Sequence, residues 1–539
     1  AAAQRSYYVG DASVYLFGKN GEAPNDSILY KNLNIHYYDK LQVRPNMLYR
    51  WMNYQQFVRS KQMRASNRTR LYSQYRQEQV QEKLSQLGIF SYMDMQYAPR
   101  DTTAACDTLD VTMQATFAKP LDAELELNVV TKSNDQTGPG ASFGVTRNNV
   151  FGGGESWNVK LKGSYEWQTG GGEKSSLMNS WEMGLSTSLT FPRVVFPHLG
   201  KREFAFPATT TFRLYINQLN RAKYYKLLSF GGNATYDFQP SRTSRHSITP
   251  FKLTFNVLQH QSEDFKEIAE ANPALYVSLR NQFIPAMEYT YTYDNASGRR
   301  IKNPIWWQST VTSAGNITSL IYRAFGKPFN EEDKSLLGAP FAQFVKLNTE
   351  LRHLWNIDKN NAIASRMAVG ALFTYGNATI APYSEQFYVG GANSIRAFTV
   401  RSVGPGGYHP EEGKYSYLDQ TGTFRFEANV EYRFRIFKSF WGATFLDAGN
   451  VWLLRKDRKL LADGKEARPN SQLRLKTFPK QIALGTGVGI RYDMDILVFR
   501  LDFGIPLHLP YDTERSGYYN VTGAFFKNLG IHFAIGYPF

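Results

Sequence analysis

Cysteine is almost absent from the sequence, and so are long apolar runs. The single thiol, Cys106, has no second cysteine with which to form an intramolecular disulfide, so oxidising conditions would be tolerated but are not exploited. No stretch approaches the roughly 18 consecutive apolar residues of a membrane-spanning helix. The mean hydropathy is also low, at −0.42. Together these absences exclude a helical membrane protein.

Recognisable catalytic and ligand-binding motifs are missing as well. The chain contains neither a Gly-x-Ser-x-Gly elbow nor a His-Glu-x-x-His pair, it has no pair of cysteine ligands, and its eight histidines are scattered. The run GTGVG at Gly485–Gly489 lacks the glycine spacing and the following helix of a dinucleotide fingerprint. We therefore expect no enzymatic activity, no metal ion and no cofactor.

Aromatic residues and positive charge are, by contrast, abundant. Aromatic side chains make up 15% of the residues, with 34 tyrosines and 37 phenylalanines. This content is unusual for soluble domains and typical of the aromatic girdles of membrane barrels. The formal net charge of +16 would suggest nucleic acid in a soluble protein. The basic residues are scattered, however, so we expect no nucleic-acid partner; attraction to anionic lipid head groups and a generally solvated surface are the alternatives.

The segment Phe424–Phe437 alternates apolar and polar residues without a break. One of its faces carries three arginines and two glutamates, and such a face cannot lie in an ordinary apolar core. A barrel wall with lipid outside and water inside satisfies both faces. The apolar face would consist of Phe424, Phe426, Ala428, Val430, Tyr432, Phe434 and Ile436, and the polar face of Arg425, Glu427, Asn429, Glu431, Arg433 and Arg435.

Similar alternating runs continue from about residue 120 to the end of the chain. The longer breaks between them, Glu263–Asn281, Gly326–Ala339 and Lys456–Lys480, fit the long loops on one side of a membrane barrel. The runs number about sixteen, and closure of an antiparallel barrel favours an even number. We therefore predict an all-β transmembrane barrel over residues 119–539. Its strands would include 178–191, 208–218, 224–237, 247–258, 283–294, 304–315, 343–355 and 363–375.

Residues 1–118 have a different pattern. Apolar residues at helical spacing predict a helix from Ser73 to Leu87, and Arg44–Phe57 predicts an earlier one. Alternating runs at 90–97 and 109–117 predict two strands. The resulting order of strand, helix, helix, strand, strand is that of a small α+β domain.

The segment Phe387–Gly407 contains five glycines and can fold back at low steric cost, because glycine tolerates positive φ. Its first half, GGANSIRAF, resembles the glycine-flanked Val/Ile-Arg-Gly-Phe/Tyr motif on the sixth extracellular loop of the BamA/TamA outer-membrane assembly superfamily. The matching residues are Gly390, Gly391, Ile395, Arg396 and Phe398, and Ala397 stands where the family usually has glycine.

The resemblance implies that residues 383–410 insert into the barrel lumen and that Arg396 pairs there with acidic side chains. Glu431 and Asp447 stand where the family has these acids, the second within a Phe-x-Asp-x-Gly segment at Phe445–Gly449. A guanidinium held by two carboxylates in a confined space gains charge-assisted bonds. The alternative is that Arg396 is one more solvated loop arginine.

Three further segments resemble the same superfamily. RNNVFGGGE, residues 147–155, is similar to the turn after the first barrel hairpin, where consecutive glycines permit a tight reversal. LSQLGIFSYMDMQY, residues 84–97, is similar to a helix-to-strand junction of the periplasmic POTRA domains. NLGIHFAIGYPF, residues 528–539, is similar to the β-signal at the end of outer-membrane barrels.

The last strand would alternate to the end of the chain, with Leu529, Ile531, Phe533, Ile535, Tyr537 and Phe539 on one side and Gly530, His532, Ala534, Gly536 and Pro538 on the other. By resemblance it would meet the first strand, about Ala123–Thr131, in a seam that acts as a lateral gate. Gly530, Gly536 and Pro538 weaken strand pairing there. The β-signal would comprise His532, Tyr537 and Phe539.

The resemblance implies assembly or translocation of polypeptides at the bacterial outer membrane, with a POTRA domain in the periplasm that binds partners by strand addition. Partners would be nascent outer-membrane or exported polypeptides, outer-membrane lipid and lipopolysaccharide, and accessory subunits. The TamA-like branch, slightly favoured, implies lipid transport as well. A two-partner secretion transporter and a passive or substrate-specific channel are the alternatives.

No leader precedes Ala1, so we expect a mature chain or one without upstream domains.

Overall fold

A short connection, residues 118–120, joins two large β-sheets. Within the described residues, no helix combines the length and the apolar character needed to cross a bilayer. The computed structural model describes residues 6–18, 20–31, 33–53, 71–103, 106–131, 136–168, 180–196, 208–221, 225–263, 266, 281–297, 301–329, 334–336, 339–377, 381–410, 420–455, 466, 468–494, 497–515 and 517–539.

The first sheet has five strands in the order β2-β3-β1-β5-β4, in which β1 lies parallel to both β3 and β5. The helices α1 and α2 cover one face of it, and Val80 and Leu84 of α2 are fully buried in the core with Met113 of β5. The elements are β1 Tyr8–Phe17, β2 Asp26–Tyr30, β3 Leu33–Tyr37, α1 Pro45–Asn53, α2 Gln74–Gln86, β4 Phe90–Pro99 and β5 Thr108–Phe117.

A hairpin in this sheet differs from the predicted order of elements. The sequence pattern predicts one strand before the helices, and the structure has three, because β2 and β3 extend the sheet beyond β1. Both added strands have only five residues, and β2 is an exposed edge strand, so neither shows enough alternation to be recognised. The end of the predicted helix Arg44–Phe57, from residue 54 on, lies outside the described residues.

The second sheet has sixteen strands, each antiparallel to its neighbours, and it confirms the predicted all-β barrel. Strands that follow one another in the chain also pair, apart from a short excursion between β14 and β17. The strands are β6 Leu121–Thr131, β7 Gln136–Asn148, β8 Ser156–Gln168, β9 Ser180–Phe191, β10 Ala208–Arg221, β11 Tyr225–Phe238, β12 Ser244–Gln261, β13 Gln282–Asp294, β14 Ile305–Ala314, β17 Phe344–Asn356, β18 Asn361–Thr374, β19 Phe424–Phe437, β20 Phe440–Trp452, β21 Ala483–Asp493, β22 Val498–His508 and β23 Gly530–Ile535. The excursion holds α3 Asn316–Ala324, β15 Ser335–Leu336 and β16 Ala339–Pro340.

The two faces of the wall meet different surroundings. On β19 the polar residues Glu427, Asn429 and Glu431 are buried on the inside, whereas the apolar residues Val430 and Ile436 are exposed on the outside. This arrangement is inverted relative to a soluble protein, and it is the one expected of a barrel with lipid outside and charges inside.

The connections of the barrel are long at one end and mostly short at the other. Residues 315–343, 375–423, 453–482 and 509–529 connect strands at the end that we call the long-loop end. Connections such as 438–439 lie at the opposite, short-turn end. Most of the predicted loop Glu263–Asn281 lies outside the described residues.

The small domain lies against the short-turn end of the barrel. The backbone N–H of Arg44, just before α1, donates to the carbonyl of Gly152 at 2.6 Å. The side-chain amide of Asn149 donates to the carbonyl of Gln42 at 2.8 Å. Gly152 and Gly154 have φ of 79° and 82°, a conformation that favours glycine, so the triple-glycine turn makes the close contact between domains sterically easy.

Candidate functional site

The segment 383–410 enters the barrel from the long-loop end and folds back inside it. Phe387 exchanges two backbone hydrogen bonds of 2.9 Å with Gly422. Gly390 and Gly391 then reverse the chain, with φ of 103° and 94°, and the Gly391 N–H donates to the carbonyl of Phe398 at 2.7 Å. Ile395 is fully buried and Phe398 nearly so, in a cluster with apolar residues of the wall.

Arg396 at the tip of this loop is completely buried and bound on several sides. Its Nε and Nη2 donate to the two carboxylate oxygens of Asp447 at 2.8 and 2.9 Å, and its backbone N–H donates to the same side chain at 3.0 Å. Its Nη1 donates to Glu431. The guanidinium also lies 3.5 Å from the ring centroid of Phe445, a cation–π distance. The structure therefore places the three predicted clamp residues, Arg396, Glu431 and Asp447, in direct contact.

The network is larger than the predicted trio. Glu431 also accepts hydrogen bonds from Arg433 at 2.7 Å and from Arg491 of β21 at 3.0 Å. Arg491 in turn faces Asp502 of β22 at 2.5 Å, an ion pair without hydrogen-bond geometry. Neither Arg491 nor Asp502 belongs to the motifs recognised in the sequence. Charges at alternating, inward-facing positions were the signal that could have identified them.

The last two strands also hold the loop. Arg500 of β22 donates to the carbonyl of Ala392 at 3.0 Å and to the side chain of Asn393 at 2.6 Å. The Nε2 atom of His532, on β23, lies 2.8 Å from the carbonyl oxygen of Arg396. The loop tip therefore contacts each strand from β19 to β23, and it ties the last strand of the barrel to the lumen.

Small residues let the loop backbone approach the wall. A Cβ atom added to Gly504 of β22 would lie 2.7 Å from the carbonyl oxygen of Arg396, which is too close for a real side chain. Gly485 of β21 likewise leaves room for Ala397, which packs against it and is 8% exposed. Alanine at position 397 is thus accommodated where the family usually has glycine. Lumen-side glycines make the buried loop possible.

The two edges of the sixteen-stranded sheet are β6 and β23. Among the described residues, these two strands have one partner each and share no backbone pairing. Leu125 and Leu127 of β6 are 67% and 74% exposed, and Phe533 of β23 is 68% exposed. The predicted seam is therefore unpaired in this structure.

The chain end departs from the predicted alternation. The strand ends at Ile535, and Gly536 adopts a φ of 85° that turns the chain. The ring of Tyr537 then lies 4.2 Å from the guanidinium of the inward-facing Arg433, which also donates to the carbonyl of Phe539 at 3.4 Å. The prediction that the last strand alternates as far as Phe539 is therefore wrong, because the left-handed Gly536 ends the strand after Ile535.

Pro538, between these two aromatic residues, is buried, and Gly530 lies beside the Arg396 carbonyl at the other end of β23. Within the described part of the chain, no group of three or more His, Cys, Asp or Glu side chains is arranged to hold a metal ion.

These features define a class of protein: an outer-membrane β-barrel whose lumen is occupied by a clamped loop of its own chain. The Omp85 superfamily domain matches residues 149–539, well over half of the chain, and the chain belongs to this superfamily. The family places it in the bacterial outer membrane, among barrels that insert or translocate polypeptides.

Among the solved structures similar to this chain, one supports the fold. BamA from Haemophilus ducreyi, lacking POTRA domains 1–3, is similar with a TM-score of 0.56 at 12% identity over 95% of this chain and 88% of that one. CdiB from Acinetobacter baumannii gives a TM-score of 0.47 at 11% identity, over 94% of this chain and 71% of that one. CdiB from Escherichia coli gives 0.43 at 12% identity, over 98% and 90%.

Proposed function

We propose that this protein inserts or translocates polypeptides through the seam between β6 and β23, which opens laterally toward the lipid. The observation that carries this proposal is the absence of backbone pairing between these strands in the described residues. In the TamA-like branch, lipids would be a second class of substrate at the same seam.

The mechanism needs no cofactor, because unpaired strand edges supply the driving force. An edge strand presents a row of free N–H and C=O groups that template another strand. Inside a bilayer, each unsatisfied backbone group costs several kcal/mol, so the open seam favours capture of a nascent strand. β23 has six residues and β6 has eleven, so even a closed seam would form few hydrogen bonds.

The clamp would divide the barrel into a rigid part and a movable part. The loop tip holds β19 to β23 through Arg396, Arg500 and His532. None of the contacts described for the tip reaches β6, within the described residues. We expect the β6 side of the seam to move while the β23 side stays fixed.

The small domain would be a POTRA-like domain in the periplasm, with residues 1–118 forming this domain and residues 119–539 the barrel. Its position at the short-turn end supports this orientation, with the long loops at the cell surface. The edges of its sheet are β2 and β4. Either edge could bind an extended polypeptide by strand addition, and accessory subunits are expected to use the same edges.

Disulfide locking tests the seam. In a Cys106→Ser background, Leu125→Cys on β6 is combined in turn with Ile531→Cys, Phe533→Cys and Ile535→Cys on β23. A crosslinked seam should abolish insertion of a model outer-membrane protein into vesicles, and reduction should restore it.

The control pair is Leu501→Cys with Phe533→Cys, which joins directly opposed residues of the paired strands β22 and β23. Crosslinking this pair should leave insertion unchanged. Full insertion activity in a protein with a quantitatively crosslinked seam would reject lateral opening.

A further inference from the structure

The helix α3 at the long-loop end buries its polar residues and exposes its apolar ones. Ser319 is fully buried and Thr318 is 8% exposed, whereas Ile317, Leu320 and Ile321 are 47%, 55% and 52% exposed. Phe325, one residue beyond the helix, is 85% exposed. The polar side of this amphipathic helix faces the protein, and its apolar side faces outward.

Specific polar contacts fix this orientation. The Ser319 hydroxyl donates to Oε1 of Gln343 at 2.9 Å and lies 3.2 Å from Nζ of the buried Lys334. The Tyr322 hydroxyl donates to the carbonyl of Ser335. Rotating the helix to bury its apolar side would break these bonds and leave buried polar groups without partners. These contacts therefore fix the orientation of the helix with its apolar side outward.

The loop that carries α3 packs on the outer surface of the barrel wall. β14 ends at Ala314, opposite Ala286, so the start of β13 has no partner on its β14 side, and Phe341 of the loop bridges to Phe283 there. Phe283 and Phe341 are buried together, and Phe255 and Tyr322 pack against them.

Register shows that this cluster is on the lipid side. Phe283 is directly opposite Phe255, and Phe255 is opposite Phe230, which is 42% exposed on the outer face. An apolar groove of about 880 Å³, lined by residues of β8 to β13, also includes Phe255 and Phe283. Tyr322 of α3 packs on this cluster, so the helix lies directly beside the membrane-facing wall.

We propose that α3 is an interfacial helix that lies in the lipid leaflet at the long-loop end, with Ile317, Leu320, Ile321 and Phe325 among the acyl chains. An exposed apolar side beside a lipid-facing wall is matched by hydrocarbon and not by water. The exposed cations Arg323 and Lys327 flank this side and would contact anionic head groups. This surface goes beyond the seam, because the helix is on the excursion between β14 and β17, far along the sheet from β6 and β23.

Spin-label accessibility tests the proposal on the full chain in nanodiscs of phosphatidylcholine and phosphatidylglycerol, with one protein copy per disc. A nitroxide is attached to Leu320→Cys in the Cys106→Ser background. Oxygen concentrates in hydrocarbon and a neutral nickel chelate stays in water, so the ratio of the two collision rates reports lipid contact. Native folding is checked by heat-modifiable gel mobility.

The controls are Leu347→Cys, an outward residue of β17 that is 41% exposed, and Leu29→Cys, a leucine of the small domain that is 67% exposed. The label at 320 should match the label at 347 and give an oxygen-to-nickel ratio several-fold above that at 29. Arg323→Cys should give a lower ratio than Leu320→Cys.

Two results would overturn the proposal. A ratio at 320 equal to that at 29 would mean that the helix faces water. Low collision rates with both reagents would mean that other parts of the protein cover the helix. Neither readout depends on insertion activity, so failure here leaves the seam proposal untouched.

Discussion

Arg396 shows how a single residue can hold a long loop inside a barrel. Its guanidinium is fully buried, yet nearly all of its donors face carboxylates, and its backbone N–H is bound by the same Asp447. A buried charge of this kind is tolerated only with such compensation. The arrangement therefore fixes the position of the loop more than it adds to the free energy of unfolding.

Replacing Arg396 by alanine should free the loop. Arg396→Ala leaves Glu431 and Asp447 buried with less positive charge, and breaking a buried pair costs about 3–5 kcal/mol. We expect residues 383–410 to become accessible to protease and insertion activity to fall. The matched control is Arg474→Ala, which removes an exposed loop arginine and should change neither property. Equal protease resistance of Arg396→Ala and the unmodified protein would contradict the clamp.

The coupling between Arg396 and Asp447 can be measured directly. In a double-mutant cycle of Arg396→Ala and Asp447→Ala, the free energies of unfolding should deviate from additivity by about 0.5–3 kcal/mol, because removing both partners leaves less uncompensated charge. The cycle of Arg352→Ala and Glu350→Ala serves as the control, since Arg352 is 44% exposed in a pair of 2.6 Å. That pair should give at most about 1 kcal/mol. Similar coupling in both cycles would argue against a special role for burial.

At the scale of elements, the end of β23 depends on one backbone conformation. Gly536 has a φ of 85° and no atom near its missing side chain, so only backbone strain opposes a substitution there. The turn it makes brings Tyr537 to Arg433. A straight continuation would instead lengthen the strand toward the chain end.

Gly536→Ala should destabilise the turn by about 1–2 kcal/mol, because L-residues disfavour the left-handed region. Gly536→Asn should cost less, since asparagine tolerates this conformation. Thermal midpoints from heat-modifiable gel mobility should therefore rank the unmodified protein above Gly536→Asn, and Gly536→Ala lowest. If alanine and asparagine behave alike, the inward turn does not depend on the left-handed glycine.

At the scale of the whole molecule, the loop occupies the lumen that a channel would need open. The tip contacts β19 to β23 from within, and apolar residues of the loop form a buried cluster with the wall. A passive channel requires an open lumen, and this loop blocks it. The long loops and the small domain lie at opposite ends of the barrel, so a substrate would meet both.

Single-channel recordings in planar bilayers should therefore show little steady conductance for the intact protein. Arg396→Ala should open more often and to larger levels, because the freed loop leaves the lumen, while Arg474→Ala should behave like the unmodified protein. A large, steady conductance in the intact protein would favour the substrate-specific channel.

Most of the barrel could be predicted from the sequence because each strand has one face toward lipid and the other toward the lumen. The period of two on Phe424–Phe437 predicted which residues face inward, and the structure agrees for Glu427, Asn429 and Glu431. Asp447, Glu431 and Arg396 were recognised from local motifs. The short hairpin β2–β3 and the helix α3 were not predicted, since few residues of either carry a clear period.

The sequence alone determined which face of each strand is polar and which loop enters the lumen. Both features depend on residues that are close together in the chain. Only the tertiary structure decided that β6 and β23 stay unpaired, that Arg491 and Asp502 join the clamp, that Gly536 turns the chain end inward and that α3 exposes its apolar side. These features depend on pairings between distant segments, and a local pattern of polar and apolar residues does not specify which distant partner fills the space.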